Sequence, residues 1–88
     1  MRTKDQIVGF VRDTTKFQEL MINLAERWEE EKEYEDIGEY MEAIEKELPE
    51  VSGATTDPFG VFVKCADGLL KINVYCIGDR VSLMVKEI

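Results

Sequence analysis

The chain has 88 residues, 44% hydrophobic and 34% charged, with 19 acidic against 11 basic side chains, a net charge of −8 and no histidine. That length supports one small domain with one core, so a deep enzyme cleft is not expected, and the composition is that of a globular rather than a disordered chain. The charge repels nucleic acid and anionic membrane and attracts basic proteins, while the lack of histidine removes the commonest general base and metal ligand.

Near the start, IVGFV at residues 7–11 is too short for the apolar core of a secretory signal. No stretch approaches transmembrane length, and with only two cysteines the chain reads as cytoplasmic. Ile7, Phe10 and Val11 have the spacing of a short first helix, which Asp13-Thr14-Thr15 is expected to end. A single bent helix from about Lys4 is the alternative, because the spacing continues through Thr14. Phe17, Leu20, Met21, Leu24, Ala25 and Trp28 then line one face of a longer helix, with Thr15 and Gln18 as its expected capping box.

A further helix is expected from Asp36, which with Glu39 has capping spacing, through Ile37, Tyr40, Met41, Ile44 and Leu48 to Pro49. Residues 50–58, EVSGATTDP, read as a turn-forming linker. Three strands follow in residues 59–88, joined at Asp67-Gly68 and Gly78-Asp79. With two-residue turns at both places, Phe59, Val61, Val63 and Cys65 share an apolar face with Leu70, Ile72, Val74 and Cys76, and with Val81, Leu83 and Val85. The helices' apolar stripes must cover that face.

The expected fold is therefore a single α+β domain over residues 1–88: a two-layer sandwich, two or three N-terminal helices (1–49) packed on one face of a C-terminal three-stranded antiparallel β-meander (59–88). A winged-helix-like arrangement is the alternative, but its recognition helix at 36–48 would carry acids that phosphates repel.

In this register Cys65 and Cys76 lie roughly 20 Å apart at about 3.4 Å per residue, which excludes a disulfide and makes both core thiols. Apolar surroundings raise a thiol's pKa, so cysteine catalysis is not expected either. On the opposite face Phe62 aligns with Asn73 and Met84, Lys64 with Lys71 and Lys86, and Tyr75 with Ser82.

Glu26, Glu29, Glu30 and Glu33, and again Glu39 and Glu42, have the E-x-x-E spacing with which helical nucleotide pyrophosphohydrolases hold magnesium. Twelve acids within residues 26–50 produce such spacings by chance, and the second helix of partner carboxylates is missing. No metal, cofactor or enzymatic activity is expected, and SGATTDPFG lacks the lysine and glycine spacing of a phosphate loop.

The acids divide into two groups. Glu35, Asp36 and Glu39 sit at an expected helix start, where the macrodipole favours them, and Glu42, Glu45 and Glu47 lie on a solvated face. Glu29, Glu30, Glu31 and Glu33 crowd an expected helix C-terminus, where each misplaced charge costs about 0.3–1 kcal/mol at low salt, and Lys32 offsets only part of it. The leading expectation is a non-enzymatic binding or inhibitor protein whose acidic ridge, with Trp28 and Tyr34 beside it, docks on a basic partner protein, a nucleic-acid-binding protein or a nuclease. In size and charge the chain is similar to small phage anti-defence inhibitors and nuclease immunity proteins; it shares no motif with them, so no residue roles carry over. The alternative working surface is the outer sheet face, Lys64, Lys71 and Lys86 with Phe62 and Tyr75, taking a nucleic acid or small anion. Homodimer formation through that face or a strand edge is a further expectation.

Overall fold

In the computed structural model the described residues are 1–31, 37–56 and 59–88, and among these the side chains of 27–31, 37, 39, 40, 55, 56, 59 and 76 are not described. Among these residues three helices, α1 (Lys4–Asp13), α2 (Thr15–Glu31) and α3 (Ile37–Glu47), precede four strands, β1 (Val51–Thr56), β2 (Phe59–Cys65), β3 (Gly68–Ile77) and β4 (Arg80–Glu87). The strands form one antiparallel open sheet in chain order.

A capping box that the sequence reading passed over starts α1. The Thr3 hydroxyl accepts from the Gln6 amide at 3.3 Å, and the Gln6 side-chain carbonyl accepts from the Thr3 amide at 2.9 Å. The chain breaks at Thr14, whose backbone is extended, so α1 and α2 are separate helices. The capping box expected from Thr15 and Gln18 is not formed. Instead the Gln18 amide donates to the carbonyls of Val11 at 2.6 Å and Arg12 at 2.9 Å. Those carbonyls lie in the last turn of α1, where the helix offers no intrahelical donors, so the glutamine serves the end of one helix rather than the start of the next.

The core lies between the layers. Ile7 and Val11 of α1, Phe17, Met21 and Leu24 of α2, Ile44 of α3 and Leu48 just beyond it pack against Val61, Val63, Leu70, Ile72 and Val74 of the sheet. Phe10 meets Phe17 edge to face at 5.5 Å across the α1–α2 junction. This is the two-layer arrangement, in place of a winged helix.

Two sequence expectations about the sheet need correction. The supposed linker supplies a fourth strand: Val51 pairs with Val63 and Thr56 with Phe59, with an irregularity between Val51 and Gly53. Small and hydroxyl residues in SGATT carry no period-2 alternation, which is why the strand is invisible in the sequence; its order comes from pairing with β2. The second correction concerns the β2–β3 register. Cys65 pairs with Gly68 and Val63 with Leu70, so the two turn residues are Ala66 and Asp67, not Asp67 and Gly68. Asp67 is drawn to the helical layer, where its carboxylate accepts from the first amide of α1, on Lys4, at 2.8 Å, and the Ala66 amide donates to Arg2. Gly68 takes a φ of 146° that suits only glycine, and a Cβ there would lie 2.5 Å from the Lys4 side chain.

The slip is two residues, an even number, so every side chain keeps the face assigned to it. The β3–β4 register agrees with expectation throughout, from Ile77 with Arg80 to Leu70 with Glu87, and Gly78 has the positive φ of a two-residue hairpin turn.

Candidate functional site

The two outer surfaces of the sandwich differ in chemistry. Residues 1–50 hold fifteen of the nineteen acids and seven of the eleven bases, so the whole net charge of −8 belongs to the helical half, and residues 51–88 are balanced. Among the described side chains Asp5, Glu19, Glu26, Glu42 and Glu45 are exposed on the helices. Lys16 pairs with Glu47 at 2.7 Å and ties α2 to α3.

The ridge residues divide between described and undescribed chain. Trp28, Glu29, Glu30 and Glu31 occupy the last turn of α2, which runs helical to Glu31, though their side chains lie outside the described residues; Glu33 and Tyr34 lie outside them altogether. Among the described residues the last turn of α2 contains no basic residue, so three consecutive glutamates meet the negative end of the helix dipole. Asp36, the expected cap of α3, is also outside the described residues, and α3 begins at Ile37.

On the outer sheet face the register correction rearranges the lysines. Lys64 is opposite Leu69, not Lys71, so the expected row of three lysines does not exist, and Phe62 faces Lys71 instead of Asn73. Lys71 and Lys86 remain directly opposed, as do Tyr75 and Ser82. The Lys71 ammonium lies 5.9 Å from the Phe62 ring centre, which offsets part of the repulsion from Lys86. Asn73, expected on this face, is buried and lies against Gly60, the residue opposite it.

Sequence reasoning missed a partly buried ion pair that joins the chain's start to the α3–β1 connection. Arg2 donates from Nε to one Glu50 carboxylate oxygen at 2.6 Å and from Nη2 to the other at 2.8 Å, while its guanidinium carbon lies 4.8 Å from the Phe10 ring centre. The hydrogen bonds from Arg2 hold the Glu50 carboxyl at about 2, below its ordinary 4.5, and they also raise the Arg2 pKa. No sequence spacing signals this pair, because its partners are 48 residues apart.

Cys65 is buried with a free thiol. Burial first, then the negative charges of Asp67 and Glu50, push its pKa up, the opposite of what a nucleophile needs. Cys76 lies on β3 eight residues beyond Gly68, the partner of Cys65, or about 27 Å along the strand. Among the described residues no three acid or cysteine side chains gather to hold a metal ion, and no helix is long and apolar enough to cross a membrane.

No family model, curated protein or solved structure matches the chain.

Proposed function

We propose that this is a non-enzymatic binding protein of the inhibitor type, whose acidic helical layer docks on a basic surface of a larger protein. The observation that carries the reading is the end of α2: Glu29, Glu30 and Glu31 sit in a helical last turn with no basic residue, an arrangement that local physics disfavours. Because the net charge belongs to the helical half, the field is one-sided; it orients an approaching basic partner before contact, and paired charges then hold it. A protein that binds or cleaves nucleic acid presents such a basic surface, and occupying it would block the polyanion, as phage anti-defence and immunity proteins do.

The outer sheet face supports a second reading, binding of an acidic ligand such as a nucleic acid, on one observation: exposed Lys64 and Lys86 flank Phe62 and Lys71, which are stacked on one another.

One experiment separates the two. The chain is used to capture partners from its native host, alongside a variant with Glu29, Glu30, Glu31 and Glu33 changed to Lys and a second with Lys64 and Lys86 changed to Glu. Loss of a basic protein partner by the first variant alone, with unchanged thermal unfolding, is expected. Retention by the first variant and loss by the second overturns the acidic-ridge reading in favour of the sheet face.

A further inference from the structure

The sheet has two edges, and they are built differently. β1 is six residues long, contains Gly53, and is irregular between Val51 and Gly53, features that discourage a further strand from adding to it. β4 is eight residues long with no proline, no glycine and no break in its register, and among the described residues no strand pairs with its outer edge. Its apolar side chains are unusually open: Val81 is 38% exposed and Met84 44%. Between this edge and helices α1 and α2 lies a cleft of about 430 Å³ walled by the apolar Val8, Val11, Ile22, Val81, Leu83 and Val85 together with the polar Arg12, Gln18 and Ser82.

We propose that β4 pairs antiparallel with β4 of a second copy about a twofold axis at Met84, joining two four-stranded sheets into one of eight strands. Only registers that pair like faces are allowed, and they differ in charge. Centring the pair on Leu83 sets Arg80 opposite Lys86, a like-charge cross-strand pair that weakens a sheet. Centring it on Met84 engages every residue from 80 to 88. Arg80 then faces Ile88, Val81 faces Glu87, Ser82 faces Lys86, Leu83 faces Val85, Met84 faces itself, and no two like charges oppose. In this register Leu83 and Val85 of each copy enter the side of the other's cleft, giving an isologous contact that closes at two copies.

Electrostatics selects the occupant. A second copy carries the same net charge of −8 and is repelled wherever the helical halves approach, whereas residues 79–88 carry Asp79 and Glu87 against Arg80 and Lys86. The β4 edge is a neutral surface on which two such chains can meet. This inference is independent of the acidic-ridge reading.

The test is sedimentation of the whole chain up to about 1 mM, where even a millimolar dissociation constant populates a dimer. Met84→Arg and Met84→Glu each place like charges across the axis and are expected to weaken association about a hundredfold, while an equimolar mixture of the two restores it. Because Met84 is exposed, both variants should unfold at the temperature of the wild-type monomer. A wild-type chain that stays monomeric throughout overturns the proposal and leaves the edge to a strand of another protein. Single variants that dimerise like the wild type, or a mixture that fails to associate, overturn it equally.

Discussion

Protonating Glu50 should release the chain's start from the sheet, and the size of the effect follows from the Arg2–Glu50 geometry. The folded carboxyl titrates at about 2 against an ordinary 4.5, which at face value corresponds to about 3.4 kcal/mol of stabilisation. Glu50's side chain is only 9% exposed but Arg2's is 34% exposed, so water screens the pair and about 1–2 kcal/mol is the expected contribution. The sign follows from the depressed value: the unfolded chain takes up the proton first, so this stability is complete above pH ~5 and is lost as pH falls toward about 2. Arg2 stays charged throughout and adds no pH dependence of its own. Urea unfolding of wild type and Glu50→Gln at a series of pH values measures the effect. The wild type should be more stable by about 1–2 kcal/mol at pH 7, and the difference should shrink below pH ~4 and be largely gone near pH 2. A difference that stays constant from pH 7 to pH 2.5 would refute the ion-pair account and leave only packing.

Three further substitutions probe the fold. At Gly60 an added Cβ would lie 2.4 Å from the Asn73 amide nitrogen and 2.5 Å from the Ile72 carbonyl, so Gly60→Ala should destabilise by about 1–3 kcal/mol, whereas Gly53→Ala, with nothing within 4 Å, should stay within about 0.5 kcal/mol of wild type. Thermal unfolding reads the contrast, and equal shifts for the two would show that the strand yields at Gly60. Gln18→Met keeps the side chain's length but strips the Val11 and Arg12 carbonyls of their donor; it should cost about 1–2 kcal/mol and speed hydrogen exchange at the α1–α2 junction, and unchanged exchange there would count against the bridge.

How legible the fold was depended on whether each feature is decided locally. Phe17, Met21, Leu24, Ile44 and Leu48 announce their burial by period alone, and all are buried. The faces of Val61, Val63, Leu70, Ile72 and Val74 were equally readable, since alternation fixes the face even where the register is wrong by two residues. The observed register goes with a contact no local pattern contains, the carboxylate of Asp67 on the amide of Lys4 across 63 residues. The same limit hid β1, whose SGATT carries no apolar stripe, and the Arg2–Glu50 pair. At α1 the signal was present, since Thr3 and Gln6 have capping spacing; at Gln18 the same spacing misled, because the preceding helix's carbonyls were the nearer acceptors. For the candidate site, the lysine row was an artefact of the slipped register, whereas the placing of Glu29, Glu30 and Glu31 on the last turn of α2 does not depend on that register.

The segregation of charge bears on both proposed surfaces at once. Had the net charge of −8 been spread over the whole chain, each sheet edge would carry its share, and two copies would repel at any edge as strongly as elsewhere. With residues 51–88 neutral, the repulsion between copies falls mainly on their helical halves. A twofold axis perpendicular to the sheet at Met84 puts both helical layers on the same side, with β4 between them. The remaining repulsion is then between acids separated by the width of the paired strands, and salt screens it over a Debye length of about 8 Å. Dimerisation by this route should strengthen as salt rises, because only like charges face one another at long range. Docking of the acidic layer on a basic partner should weaken over the same range, since there the long-range term is attractive. Opposite salt responses thus separate the two surfaces without any substitution, and a shared response would mean that one of the two assignments is wrong.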